Sequence, residues 1–594
     1  MNSIRYYWET TRFSVRNFYV NHFHSFGRFF YGFFGTISIF ILIFEYGFYF
    51  PESYLEYLEL ASFICINFLY AYELSTFLFS NVPILEHVKI RKVEAFIVVS
   101  ITIQKLFESE LIAFLGWEKL GANEASLLFL SINQIFLVFS NFARLIRNSK
   151  TYFWKGISPS FLFVFSFASI IAIGTALLLF PKAHKHDLQL IDVVFTVVSA
   201  TCVTGLSTIS ITESFTTTGL IILIFLMQIG GLGIMTLTSF FAIFLTGKAS
   251  VNDKVLMKDI LSQEALGKVS NLLRTITTQT IVIELVGAFV LYWNIPSEMN
   301  FSTSEKIFHS IFHSVSAFCN AGFSTFPNGF VDLKNLQAHT FLSCSMFLIT
   351  FGGLGFPVIR ELAEVFLYKQ RKGFSNTTIL VLQVSLILFV FGSISYFFLE
   401  RNFSLKNLSL FEQIFHSIFY SVTTRTAGFN TLEMDKMGIP ITFLSLFLMW
   451  VGASPISTGG GIKTTTLALA FLQIVNQLKG KNRIEFRYKV IAPESVNRAG
   501  ITIVLSLFAI FLAIFGLVIF ETENFLDISF EVVSAYGTVG LSRGITATLE
   551  TSSKIILCFV MFVGRVGVLS FLLAFAKPEK QMRYEYPKDF VVVG

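Results

Sequence analysis

The sequence predicts an all-α membrane protein: four helix–pore-loop–helix units around one pore, preceded by four extra transmembrane helices. Three observations predict it. Of 594 residues, 54% are hydrophobic and 14% charged, whereas a soluble domain carries about 25% charged residues. Apolar runs near the length of a spanning helix, about 20 residues, recur along the whole chain, and mean hydropathy is +0.68. A short glycine-centred segment also recurs four times in the same setting. The copies are Ser199-Ala-Thr-Cys-Val-Thr-Gly205-Leu, Ser316-Ala-Phe-Cys-Asn-Ala-Gly322-Phe, Val422-Thr-Thr-Arg-Thr-Ala-Gly428-Phe and Ser534-Ala-Tyr-Gly-Thr-Val-Gly540-Leu. Their central glycines lie 117, 106 and 112 residues apart. That period is too long for a solenoid repeat and suits two helices joined by a loop.

The first four spans are expected at about 27–49, 57–80, 93–116 and 124–146. They form an N-terminal extension over residues 1–150. The first run lacks a visible small-residue cleavage site and reads as a retained span. Basic residues mark alternate loops: Arg5 to Arg28, then Lys89, Arg91 and Lys92, then Arg144, Arg147, Lys150 and Lys155. Such loops are cytoplasmic by the positive-inside rule. Arg144 and Arg147, with Glu73 and Lys105, give a faint voltage-sensor-like signal, but two arginines at a cytoplasmic end are more often ordinary topology anchors.

Residues 151–594 form the second unit, with repeats at about 155–250, 270–370, 375–480 and 497–577, followed by a short cytoplasmic tail. Each repeat opens with an apolar helix, at about 160–180, 276–293, 377–399 and 500–520. A run of 10 to 15 amphiphilic residues follows, for example Ile191–Ala200, and then the glycine segment. Ten helical residues reach about 15 Å, half of the hydrocarbon core. Closing helices are expected at about 218–245, 340–367, 438–478 and 553–576. The loops after them are basic, from Lys248 to Arg274, Arg360 to Lys372 and Lys479 to Arg498, as is the tail from Lys577 to Lys588. The count is twelve spans in a cell membrane, with both termini cytoplasmic.

The net charge of +6 does not indicate nucleic acid, because the basic residues are spread over those loops. Cys65, Cys202, Cys319, Cys344 and Cys558 lie in or beside apolar segments, are odd in number and show no zinc-like spacing.

Glycine adopts positive φ without a Cβ clash, so four glycine-centred strands can turn their carbonyls toward one axis. Non-helical backbone at mid-membrane depth must line water or be buried in protein. A ring of carbonyls there replaces the hydration shell of a cation. The alternative is that these glycines only allow close helix packing. The strands nominated for ion contact are Cys202-Val203-Thr204-Gly205, Cys319-Asn320-Ala321-Gly322, Thr426-Ala427-Gly428 and Gly537-Thr538-Val539-Gly540, with the ion at the four central glycines. The strands differ in sequence, which predicts looser selectivity than a symmetric tetramer provides.

Within 438–478, Gly452-Ala-Ser-Pro-Ile-Ser-Thr-Gly-Gly-Gly-Ile-Lys463 cannot continue a straight helix. It is either a kinked knuckle or a mobile loop across the pore. Arg565, between Gly564 and Gly567 in an apolar run, is a mid-span guanidinium and a functional candidate by default. Arg425 lies beside the third strand and is expected to bridge half-helix and loop carbonyls in preference to gating ions directly. Glu284 either anchors a neighbouring loop or carries a proton. Gly230-Gly-Leu-Gly233 and Gly352-Gly-Leu-Gly355 follow helices rather than strands, which argues for packing rather than dinucleotide binding. His309 and His313 sit at i, i+4. They have zinc-compatible spacing but no third ligand nearby, and packing of the half-helix is the simpler account.

These segments, above all Thr423-Thr-Arg-Thr-Ala-Gly-Phe429, resemble the Trk/Ktr/HKT superfamily of potassium transporters, of the bacterial TrkH/KtrB type. The resemblance covers about residues 155–594. It implies a single-chain pore working as a homodimer with a cytosolic nucleotide-binding regulatory ring. It also implies potassium, given glycine at 205, 322, 428 and 540. It assigns a gate to Ser457, Thr458, Gly459, Gly460, Gly461 and Lys463, contacted by Arg565. Potassium is then the transported ion, membrane lipid the surroundings, and neither an enzyme activity nor an organic cofactor is expected. A sodium- or proton-coupled potassium symporter is the alternative within this class. A metalloenzyme using His309 and His313, or a non-conducting scaffold, would be alternatives outside it.

Overall fold

The computed structural model describes most of residues 30–78, isolated positions between 95 and 102, and residues 159–246, 269–367, 369, 373–481 and 483–576. The spans expected at about 93–116 and 124–146 and the basic tail from Lys577 therefore lie wholly or largely outside the described residues, as does most of the basic loop from Lys248.

The described chain is helical almost throughout. Helix α1 is Glu52–Leu78, and the described positions from Phe30 to Gly47 are helical. The opening helices stand where the apolar runs put them: α2 Pro159–Leu178, α5 Val269–Trp293, α9 Asn376–Glu400 and α13 Pro493–Phe520. Proline occupies the first turn of α2 and α13, where its missing N–H is no loss. The Ser375 hydroxyl caps α9 by accepting from Thr378 N at 3.2 Å. Among the described residues, three helices are long and apolar enough to cross a membrane: Thr275–Trp293, Asn376–Glu400 and Pro493–Phe520. Up to five qualify if each of two bent pairs is one span.

Those bent pairs correct one expectation. The stretches 340–367 and 553–576 are not continuous helices. The first is α7 His339–Leu354 followed, after a 107° bend, by α8 Phe356–Leu362. The second is α15 Thr551–Val566 followed, after a 94° bend, by α16 Val568–Phe575. The pivots are Gly355 at φ +90° and Gly567 at φ +86°, a backbone region that side chains disfavour. Helix α4, Thr217–Thr246, is likewise non-helical at Gly233. The run at 438–478 divides into α11 Ile439–Trp450 and α12 Thr464–Leu478, with the glycine-rich loop between them. A two-residue hairpin, β1 Glu485–Phe486 with β2 Lys489–Val490, precedes α13.

Between opening and closing helices stand four half-length helices: α3 Leu190–Cys202, α6 Thr303–Cys319, α10 Leu410–Thr423 and α14 Phe525–Gly537. At 13 to 17 residues, they are about 20–25 Å long. Two carry capping boxes, Ser302 with Glu305 and Ser409 with Glu412. The Ser302 backbone N–H and hydroxyl hold the Glu305 carboxyl below its ordinary range. The half-helices are the buried centre of the protein: in α3 and α14, all but the first few residues are inaccessible.

Candidate functional site

The half-helices end alike. Val203 (φ 58°), Asn320 (φ 59°) and Thr538 (φ 50°) cap α3, α6 and α14 in the left-handed conformation. Thr426 (φ 68°) has the same conformation just past α10. Two residues after each comes a glycine, also at positive φ: Gly205 (93°), Gly322 (71°), Gly428 (77°) and Gly540 (92°). The non-glycine positions are held against their steric cost by hydrogen bonds back into the helix. Thr204 N donates to Ser199 O at 2.8 Å, Ala321 N to Ser316 O at 2.7 Å, Ala427 N to Thr423 O at 3.0 Å and Val539 N to Ser534 O at 2.8 Å. Hydroxyls of the same helices fix the strands further. Ser199 and Ser534 accept from Gly205 N and Gly540 N at 3.0 and 3.1 Å. Ser316 and Thr423 donate to the carbonyls of Phe323 and Phe429 at 2.7 and 2.6 Å.

The four glycines close a cycle. A Cβ on Gly205 would stand 2.6 Å from Ala321 O, and one on Gly322 would stand 2.9 Å from Ala427 O. One on Gly428 would stand 2.5 Å from Val539 O, and one on Gly540 would strike Thr204 O. Each glycine thus abuts the residue preceding the next glycine, and the fourth returns to the first. Segments spread over more than 330 residues of sequence meet at one centre. Only glycine allows strands to approach so closely with this conformation.

The loop between α11 and α12 lies against this centre. Gly460 N donates to the Thr538 hydroxyl at 2.9 Å, and a methyl on Gly459 would strike the Thr426 hydroxyl. Ser454 N and Thr458 N donate to Gly353 O and Gly352 O at 3.0 and 3.2 Å, and Phe356 N donates to Ile456 O at 3.0 Å. Within the loop, Ser457 donates to Ser454 O at 2.6 Å and Lys463 Nζ to Gly459 O at 2.7 Å. Arg565, 5% exposed, donates to the carbonyl of Thr458 in the loop and to that of Gly230 on α4. Its guanidinium therefore ties together three elements distant in sequence. The flanking glycines serve other contacts: a Cβ on Gly564 would strike Tyr536 O, and Gly567 is the pivot between α15 and α16.

The other glycine clusters are packing points. A Cβ on Gly230 would strike Thr201 O, and one on Gly352 would strike Phe318 O, both near the ends of half-helices. Among the described residues no group of His, Cys, Asp and Glu could hold a metal. His309 Nδ1 contacts the Thr325 hydroxyl at 2.6 Å, and His313 Nε2 the Ser324 hydroxyl at 3.0 Å. These rings pin the chain that leaves the second glycine segment. His416 contacts Thr431 at 2.9 Å in the third copy.

Glu284 accepts from Gln228 Nε2 at 3.1 Å and lies 3.8 Å from Cys319 Sγ. It anchors α4 and the end of α6 to α5, helices rather than a loop. Arg425 does not bridge half-helix and loop carbonyls. Its guanidinium turns outward to Ser385 on α9, Nη2 to the hydroxyl at 3.1 Å and Nη1 to the carbonyl at 3.4 Å.

Three supports are absent from the sequence reading. Asp192 on α3 pairs with Lys554 on α15 at 2.8 Å, both buried, and accepts from Thr208 at 2.7 Å. Glu531, fully buried on α14, accepts from Ser542 (2.6 Å), Arg543 N (3.0 Å) and Thr546 (2.8 Å). Arg543 joins Asp527 to Thr442 and the Met434 carbonyl. Their partners Thr208, Ser542 and Arg543 lie two or three residues past a strand glycine. The one available signal was a charged residue inside a short apolar helix.

The family of cation transport proteins called TrkH has a model that matches residues 135–586. Ktr system potassium uptake protein B of Bacillus subtilis is 36% identical over 456 residues, 76% of this chain and 100% of that protein. Ktr system potassium uptake protein D of the same organism is 32% identical, over 74% of this chain and 98% of that protein. Potassium/sodium uptake protein NtpJ of Enterococcus hirae is 33% identical, over 74% and 98%. The crystal structure of the potassium transporter TrkH from Vibrio parahaemolyticus has the same fold at TM-score 0.60 and 18% identity, covering 81% of this chain and 97% of that one. Residues before 135 lie outside the family match.

Proposed function

Because the chain belongs to the TrkH family of cation transport proteins, we propose that this membrane protein takes up potassium through its four glycine strands. The observation that carries the reading is the closed cycle of glycine–carbonyl contacts. Four stretches of backbone held at one point, with alternating positive φ, offer carbonyl oxygens in place of hydration water. Residues 202–205, 319–322, 426–428 and 537–540 form this filter. The carboxyl ends of the four half-helices face it and add favourable negative dipole for a cation. An inside-negative potential contributes about 2.3 kcal/mol per charge per 100 mV to inward movement.

Ser457, Thr458, Gly459, Gly460, Gly461 and Lys463 then form a gate, latched by Arg565. The contacts of Gly460 with Thr538 and of Thr458 with Arg565 support a closed arrangement. The relatives are components of a "Ktr system", which supports a cytosolic partner. The proposal takes that partner as a nucleotide-binding ring docked on the basic cytoplasmic loops of a homodimer. A sodium-coupled mode is the second reading, favoured by the potassium/sodium name of the Enterococcus relative.

Rubidium uptake into vesicles holding the full chain tests the proposal. Uptake driven by an inside-negative potential without sodium is the expected result. Failure under any potential would sink the pore reading, and an absolute need for a sodium gradient would select the second mode.

A further inference from the structure

We propose that a lateral cavity ending on Arg425 binds the anionic headgroup of an acyl-chain amphiphile from the membrane. This goes beyond ion passage and does not depend on it. The cavity, about 520 Å³, lies between α7, α9 and α10, within the usual range of small-molecule sites. Its walls are mostly apolar, with Met346, Leu382 and Phe389 among them and the hydroxyls of Ser343, Thr350 and Ser385 between. Phe347 and Leu386, 67% and 62% exposed, stand at its rim on the outer surface of the bundle, where lipid chains are the neighbouring medium.

The cation in that wall is underpartnered. Both hydrogen bonds found for Arg425 go to one residue, Ser385, and the one to its carbonyl is long. Nε is buried without a partner, and no carboxylate pairs with the group among the described residues. A guanidinium offers more N–H donors than this, in a planar fork that matches carboxylate and phosphate. An unpaired cation in apolar surroundings is costly, and apolar walls hold water poorly. An anion on an acyl chain meets both demands: its head accepts from the guanidinium, and its tail follows the walls out to the rim.

The test is native mass spectrometry of the full chain in neutral detergent, titrated with dioleoyl phosphatidylglycerol, oleate and dioleoyl phosphatidylcholine. One or both anions should be held about tenfold more tightly than the zwitterion, as charge-assisted hydrogen bonds imply. Whichever anion is held identifies the source as phospholipid or fatty acid. Arg425→Gln should abolish the preference. Leu386→Trp, at an exposed rim position, should weaken retention by filling the mouth. Equal retention of all three amphiphiles, an anionic preference surviving Arg425→Gln, or undiminished retention in Leu386→Trp would overturn the inference. So would spontaneous disulfide dimers of Phe347→Cys in native membranes, because a second copy would then cover the mouth.

Discussion

Removing the Arg565 side chain should leave the chain folded and raise its resting ion flux. The guanidinium makes two hydrogen bonds, to Thr458 O in the loop and to Gly230 O on α4, and the first of these holds the loop. A hydrogen bond with one charged partner contributes about 1.5–3 kcal/mol, and Arg565 is too buried for solvent to screen it. In the proposed gate, losing that much from the closed arrangement alone shifts the closed-to-open ratio by about 10- to 150-fold. Arg565→Ala also strips a partner from the Thr458 carbonyl, which disfavours closure further. Arg565→Lys keeps the charge without the planar fork and should fall between the two. The assay is the initial rate of rubidium uptake into vesicles holding the chain alone, at a fixed inside-negative potential. The expected rise for Arg565→Ala is tenfold or more, on the order of the shift just derived. A rate within about twofold of the unaltered chain, at equal insertion, would refute the latch, since it is smaller than any loss of such a bond produces.

Three further outcomes follow from the same geometry. Gly540→Ala forces a Cβ onto Thr204 O at φ +92°; beyond the conformational cost of about 1–2 kcal/mol, it opens the cycle, so uptake should be lost while protein still inserts. Normal uptake would count against the ring. Breaking the Asp192–Lys554 pair with Asp192→Asn or Lys554→Met should cost about 3 kcal/mol or more, and the double variant should recover much of it; thermal unfolding in detergent reads this, and additive losses would deny the coupling. Gly459→Ala drives a methyl into the Thr426 hydroxyl, so the loop should withdraw and basal rubidium uptake should rise. An unchanged rate with the protein fully inserted would take the loop off the conduction route.

Much of the arrangement is legible along the chain because its causes are local. A segment of 13 or 14 residues is too short to cross a bilayer wherever it packs. Glycine at 205, 322, 428 and 540 announces positive φ, because no other residue takes it at comparable cost. Pro455 and the three glycines at 459–461 announce the break in the run at 438–478. Other features are invisible for an equally physical reason. The Gly355 and Gly567 pivots lie in apolar runs where glycine is also an ordinary packing residue. A Cβ on Gly355 would strike the Pro455 carbonyl of a loop one hundred residues on, a contact that no local pattern records. The outward turn of Arg425 depends on Ser385, forty residues earlier on another helix.

What the sequence by itself determined is the list of parts: apolar spans, half-length helices, four glycine strands and a loop that cannot be helical. Periodicity, length and backbone sterics act within a few residues, so they can be read there. Tertiary structure alone decided which carbonyl abuts each glycine of the cycle, that the loop carbonyl bound by Arg565 is that of Thr458, and that Asp192 finds Lys554 across 362 positions. Those contacts exist because packing buries charges and carbonyls that must then be partnered, and no local pattern records which distant group will do so.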